Sequence, residues 1–268
     1  MTRTFAIIAF SVALSLSAAV LQAAVAHQPG PDREVAAKAG PIPPELRRAF
    51  EGVVREYLLK NPEIIREAMQ VLQAQAEADK QEAAGQALKQ HRDELLQNAD
   101  SPVGGNSEGD ITVVKFFDYN CGYCKTVSLT VAAVLKNDAN VRVVYKEFAI
   151  LGPQSLVAAR AALAAKRQGK YHEFHAAMMS SVKANENSVA GTASDLGLDY
   201  NKLLRDMEDP AISEHLERNY RLATEIGING TPAFVIGDRV VSGAIDERAL
   251  MEIIAESRAK MKAAPKNN

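Results

Sequence analysis

Val113-Val114-Lys115-Phe116-Phe117-Asp118-Tyr119-Asn120-Cys121-Gly122-Tyr123-Cys124 is the stretch whose reading decides the fold of this chain. An apolar run of β character ends in a short polar turn, and two cysteines follow with two residues between them. Lys125 to Lys136 then has helical composition, with Val127, Val131, Val134 and Leu135 on one side. This spacing sets Cys121 at the mouth of a helix and Cys124 one turn in. Unpaired N–H groups and the positive end of the macrodipole favour an anion there, in this case a thiolate at Cys121. The second thiol closes on the first without rearranging the backbone. The pattern is that of a redox dithiol.

Two other uses of the pair are weaker. A structural zinc site wants four ligands, and the chain has two cysteines in all. The nearest candidates to complete one, His172 and His175, fall far along in an alanine-rich helical segment. A structural disulfide over so short a loop constrains little of the unfolded chain.

The remaining sequence bounds the setting. Its 268 residues suffice for one large domain or two modest ones, and a net charge of −2 gives no basic patch for a nucleic acid. Residues 1–26 read as a secretory signal: Arg3 as the positive region, Phe5 to Leu16 as the apolar core, and Ala24-Val25-Ala26 as the cleavage site. The expected location is periplasmic, where a lone dithiol trades disulfides with other proteins instead of stapling a scaffold.

Residues 27–44, rich in Pro, Gly and Ala, read as a flexible lead. Leu46, Phe50, Val53, Val54, Tyr57 and Leu58 make one face of a first helix, and Asn61-Pro62-Glu63 reads as a stop and restart with Asn61 as N-cap. Ile64, Ile65, Ala68, Met69 and Leu72 continue as a second amphipathic helix, which turns polar through Leu96. About 60 residues of this kind enclose no core alone. The apolar faces of the region 45–97 either pack onto the following domain or self-associate, and a self-associating helical stalk is the expectation. Residues 98–110 read as a linker, and residues 111–262 as an α/β domain.

In that domain Ile111 to Phe117 and Val141 to Phe148 are expected as parallel strands of a βαβ unit. A helical insertion follows at about 154–227, and its His172, His175 and His215 are expected as ordinary packing or surface residues. Ala233 to Ile236 and Arg239 to Val241 flank Gly237-Asp238 as a hairpin, and a last helix begins at Asp246. Thr231-Pro232 stands at the head of the third strand, where a cis peptide would turn the Thr231 backbone toward the dithiol. By frequency alone the bond is trans, since only about 5–6% of X-Pro bonds in folded proteins are cis.

The run Phe116 to Lys125, taken with Gly230-Thr231-Pro232-Ala233-Phe234, resembles the DsbA-like thioredoxin fold, and within it the ScsC-type exported thiol–disulfide proteins. The resemblance implies a cis Thr231-Pro232 loop that holds substrate backbone and an N-terminal region that assembles a trimer. It implies Cys121 as the attacking thiol, Cys124 as the resolving one, and Gly122 and Tyr123 as the residues that shape the turn. Implied partners are client proteins with thiols or disulfides and a membrane thiol reductase. No metal or organic cofactor is called for. Isomerase or reductase activity is the expectation, with a dithiol oxidase or a copper-binding protein as the other readings. One position departs from the wider fold: an acidic residue often stands six before the first cysteine, and here that residue is Lys115. Glu147 on the neighbouring strand is the candidate to supply the missing charge.

Overall fold

The computed structural model describes residues 42–263, so the expected signal, most of the lead and the last five residues lie outside it. The chain divides into two units between Met69 and Gln70. In the first, helix α1 (Pro44–Lys60) starts with a proline in its first turn, where a missing N–H costs nothing. None of its residues is buried: Leu46, Phe50, Val53, Val54 and Tyr57 all stand exposed. Asn61 closes this helix with its side chain, while its carbonyl accepts the Ile64 N–H at 3.2 Å. Its backbone N–H and its Nδ2 both donate to the Tyr57 carbonyl, at 2.9 and 2.8 Å. The expected N-cap is thus a C-cap, because the side chain turns back to an orphan carbonyl. Helix α2 (Glu63–Gln90) then runs on through the polar stretch and stops short of Leu96, at Gln90.

The second unit is built on a five-stranded sheet in the order β1-β3-β2-β4-β5. Strands β2 (Ile111–Phe117) and β3 (Val141–Glu147) pair in parallel, joined through α4 (Gly122–Asn137). Strand β4 (Ala233–Ile236) lies antiparallel to β2, and β5 (Arg239–Ser242) completes the hairpin. Both central strands are buried on each face and therefore read as apolar runs without clean alternation.

Strand β1 (Val103–Gly105) lies in the segment read as a linker, antiparallel to β3. Its glycines mark a close approach of two backbones. A Cβ on Gly105, at φ +70°, would sit 2.5 Å from the Val141 carbonyl oxygen, and one on Gly104 would sit 2.9 Å from the Tyr145 ring.

Side-chain alternation sends Val113, Phe117, Val141, Val143 and Tyr145 into one core and Val114, Phe116 and Val144 into another. The first core is closed by α4, by α10 (Glu247–Ala263) and by the insertion helices α5 (Pro153–Lys166), α6 (Tyr171–Ser180), α7 (Glu186–Asp195) and α8 (Tyr200–Met207). The second is closed by α9 (Pro210–Glu225), and by Leu88 and Leu95 from α2 and the short α3 (Arg92–Leu96). Lys146 points into this second face. Its Nζ donates to the Glu94 carbonyl at 2.7 Å and to Ser101 Oγ at 2.9 Å, and burial lowers its pKa to about 8. The residues just before the sheet are therefore part of its packing. Leu95→Ala should lower unfolding stability by about 2–5 kcal/mol in urea titration. A loss below about 0.5 kcal/mol, usual for surface positions, would show that α3 is not part of this core.

Candidate active site

The turn between β2 and α4 is held by two short polar side chains. Buried Asp118 takes the Asn120 N–H and the Ser155 hydroxyl on Oδ1, both at 2.7 Å, and the Ile150 and Leu151 N–H groups on Oδ2, both at 2.9 Å. Asn120 donates through Nδ2 to Ser155 Oγ and the Ala184 carbonyl, and accepts the Ala184 N–H at 2.9 Å. Lys125, one turn into α4, donates to the Ser181 and Val182 carbonyls. The insertion thereby grips the mouth of the helix from one side. Asp118 and Asn120 were given no role in the sequence reading. Their placement immediately before a helix, where such side chains bond nearby backbone, was the available signal.

Cys121 is the N-cap of α4, and its Sγ accepts the Cys124 N–H at 3.4 Å. The same sulfur, as a thiol, donates to the Thr231 carbonyl at 3.3 Å. The Thr231-Pro232 peptide is cis, as the resemblance implied and as frequency alone did not. Both cysteines are free thiols. Cys121 keeps 7% of its surface exposed and Cys124 none, so the two sulfurs differ in access. Burial pushes the Cys124 thiol up to about 12, with a smaller upward contribution from Cys121. Between them Gly122 has open space where a Cβ would lie, and Tyr123 is 70% exposed.

Behind the dithiol lies a buried polar cluster drawn from β2, β3 and the insertion. Lys115 is fully buried, its Nζ has no hydrogen-bond partner, and it lies 5.2 Å from the Phe117 ring centroid. Burial lowers its pKa to about 8, opposed by the charges of Cys124 and Glu147. Glu147 Oε1 accepts the Tyr171 hydroxyl at 2.8 Å and the Tyr119 hydroxyl at 3.1 Å, while Oε2 has no partner. Burial raises this carboxyl to about 8 against the pull of both hydroxyls. Lys115 and Glu147 therefore feel each other's charge without a hydrogen bond between them.

His175 completes the cluster, with Nδ1 3.0 Å from the Tyr119 oxygen. Since the Tyr119 proton goes to Glu147, His175 donates through Nδ1 and keeps an unpartnered lone pair at Nε2. Burial holds this imidazole neutral. His172 packs its ring against Tyr145 and Tyr171, and buried His215 accepts from Asn219 Nδ2 at 3.3 Å. Among the described residues none of these three histidines hydrogen-bonds a cysteine. Chemically, the site offers a reachable sulfur, a second sulfur beneath it and a carbonyl edge that an extended polypeptide can meet.

Comparison with known proteins adds the family. The model of the DSBA-like thioredoxin domain matches residues 112–255, and that of the copper resistance protein ScsC N-terminal domain matches residues 47–79. A thioredoxin-like oxidoreductase from Silicibacter pomeroyi is 47% identical, over 63% of this chain and 98% of its own, with a TM-score of 0.62. ScsC of Proteus mirabilis in a transitional conformation is 31% identical, over 82% of this chain and 100% of its own, with a TM-score of 0.61. The chain spans about a quarter of the curated relatives it matches, such as the Na(+)/H(+) antiporter NhaA of Herminiimonas arsenicoxydans: 28% identity over 160 residues, 58% of this chain and 25% of that protein. Among the described residues no helix is long and apolar enough to cross a membrane. The first of these matches takes in more than half of the chain, including the dithiol and the Thr231-Pro232 loop, and the chain accordingly belongs to the DSBA-like thioredoxin domain family.

Proposed function

We propose that this chain is an exported disulfide isomerase and reductase that works as a homo-oligomer, by the resemblance a trimer. One observation carries the exchange chemistry: Cys121 caps α4 with its sulfur 3.3 Å from the Thr231 carbonyl, while Cys124 is buried beneath it. The Cys121 thiolate attacks a client disulfide, a mixed disulfide forms, and one client thiolate leaves. In isomerisation that thiolate opens another client disulfide, and the client thiolate so freed attacks the mixed disulfide, forming a new client bond and releasing the Cys121 thiolate unchanged. In reduction Cys124 attacks the Cys121 sulfur, the second client thiol departs, and a membrane thiol reductase restores the dithiol. The Thr231 backbone pairs with the client strand meanwhile.

The direction of exchange is supported by α1, whose apolar residues are exposed along its length. Copies joined through that face would bring several thiolates to one client, raising their effective concentration. Reduced protein should reactivate scrambled ribonuclease above the level of glutathione alone. Cys121→Ser should abolish this, and Cys124→Ser should accumulate the mixed disulfide. Reactivation no better than glutathone-only controls, with oxidation of a dithiol peptide retained, would make the protein an oxidase.

Assembly is tested by sedimentation. The chain from residue 27 should sediment as an oligomer, and one beginning at Gln70 as a monomer with most ribonuclease reactivation lost. The cut belongs at 70 because removal through residue 96 would take Leu88 and Leu95 out of the core. An oligomer that survives the cut would remove α1 from the interface.

We also infer that Lys115 and Glu147 assist the resolving step by sharing the proton that Cys124 gives up. The folded state holds the Glu147 carboxyl at about 8, above its ordinary value of 4.5. Across that window the folded chain keeps a proton that the unfolded chain has lost, so stability falls as pH rises from about 5 to 8. Lys115, lowered from 10.5 to about 8, acts only above that window. Glu147→Gln should flatten the decline between pH 5 and 8 and change the pH profile of exchange, as should Lys115→Gln for the profile. Unchanged exchange profiles in both variants would confine the pair to structure.

A further inference from the structure

Asn229-Gly230 is the one place in this sequence where an asparagine precedes a glycine, and it stands immediately before Thr231-Pro232. The pair carries a chemistry of its own. The backbone nitrogen of the residue after an asparagine attacks that asparagine's side-chain carbonyl, and glycine permits this best because it has no Cβ to shield its nitrogen or restrict its dihedrals. Here a bond forms from the Gly230 nitrogen to the Asn229 side-chain carbonyl carbon. The bond from that carbon to Nδ2 breaks, and Nδ2 leaves as ammonia with the proton of the Gly230 amide. The five-membered imide so made takes up one water and opens at either carbonyl, to aspartate or to isoaspartate. Nothing is oxidised or reduced. In isoaspartate the main chain runs through the side-chain methylene and is one atom longer.

The structure leaves this step unhindered. Asn229 and Gly230 are both exposed, and they lie between α9, which ends at Glu225, and β4, which begins at Ala233. Among the described residues nothing accepts a hydrogen bond from the Gly230 N–H, so the attacking nitrogen is not tied down. A Cβ placed on Gly230 would meet nothing within 4 Å. Among the described residues the Asn229 carboxamide makes one hydrogen bond, from Nδ2 to the Gly227 carbonyl, and at 3.4 Å it is a long one. Two other asparagines precede a small hydroxyl residue, serine, and both are fastened. Asn106 donates to the Ala139 carbonyl and accepts the Glu108 N–H, while Asn187 lies within α7.

The chain on either side of the pair is fixed. Ile228, 1% exposed, donates its N–H to the Ala223 carbonyl at 2.7 Å, and the Pro232 carbonyl accepts the Gly243 N–H at 2.8 Å. Between these anchors the Thr231 carbonyl meets the Cys121 sulfur at 3.3 Å. An added backbone atom in so short a span has to move that carbonyl. We propose that Asn229 is a self-modification site that converts, without an enzyme, to a mixture of aspartate and isoaspartate, and that the isoaspartate form carries the Thr231 carbonyl away from the Cys121 sulfur and slows exchange with polypeptide clients. The conversion follows from the chemistry and exposure of the pair. Its effect on clients rests on the exchange reading above.

The test incubates the chain from residue 27, reduced, for several days at mildly alkaline pH and body temperature, then digests it for mass spectrometry. The peptide holding Asn229 should gain the mass difference between a carboxyl and a carboxamide, and isoaspartyl methyltransferase should methylate it. The peptides holding Asn106 and Asn187 should keep their mass over the same interval. Gly230→Ala, checked for folding by circular dichroism, should lose most of the gain. Reactivation of scrambled ribonuclease by the incubated chain should fall in proportion to its isoaspartate content, while incubated Asn229→Ala keeps the rate of its own fresh sample. Fresh Asn229→Asp brings the charge without the added backbone atom and should match the fresh unsubstituted chain. No mass gain at Asn229, or an equal gain at Asn106 and Asn187, would overturn the site. Conversion that leaves the rate of the incubated chain intact, or a slow fresh Asn229→Asp, would overturn the displaced carbonyl as its effect. A fresh unsubstituted chain that fails to reactivate ribonuclease would remove the isomerase reading and the effect on clients together, and the conversion itself stands or falls on the mass alone.

Discussion

Four hydrogen bonds to one buried carboxylate hold the exchange site in shape. Asp118 ties the residue before Cys121, the start of the loop after β3 and the first turn of α5 to a single point. Each donor would otherwise be a buried or partly buried polar group without a partner, at a cost of about 1–3 kcal/mol apiece. With the turn locked in this way, the sulfur that caps α4 has a defined position against the cis Thr231-Pro232 loop across the sheet. Sulfur and loop are separate pieces of chain, and the Asp118 turn sets the one relative to the other.

The two sulfurs differ because the fold treats them differently. Cys121 stands at the helix end, with a peptide N–H to accept from and a carbonyl to meet. Cys124 lies one turn deeper, in the core that α4 shares with Phe117 and Tyr119, and burial keeps its proton on. Behind the dithiol stand a lysine on β2 and a glutamate on β3; the Tyr119 and Tyr171 hydroxyls donate to one oxygen of the glutamate, and His175 meets the Tyr119 hydroxyl. Tyr171 and His175 come from the helical insertion, so that insertion does more than cover the sheet. It completes the buried polar cluster that Lys115 and Glu147 begin.

Regular periodicity made most elements legible. The hairpin around Gly237-Asp238 and the amphipathic helices announce themselves by the spacing of apolar residues, and Ile111 to Phe117 by its unbroken apolar run. Strand β1 did not, because Val-Gly-Gly has no alternation and its glycines serve the packing of one backbone on another. Asn61 is ambiguous for a similar reason: an asparagine between two helices can cap either, and only the direction of its side chain decides.

The sequence by itself determined the family, through the resemblance carried by the Cys121-to-Cys124 motif together with Thr231-Pro232. Its helix-forming pattern also dictated that α1 would have an apolar face with nothing in its own neighbourhood to cover it. Only the tertiary structure decided which groups gather around the sulfurs. Asp118 with Ser155, Tyr119 with His175, and Glu147 with Tyr171 are 24 to 56 positions apart along the chain. Such pairs follow from how strands and insertion helices pack, and local spacing carries no record of that.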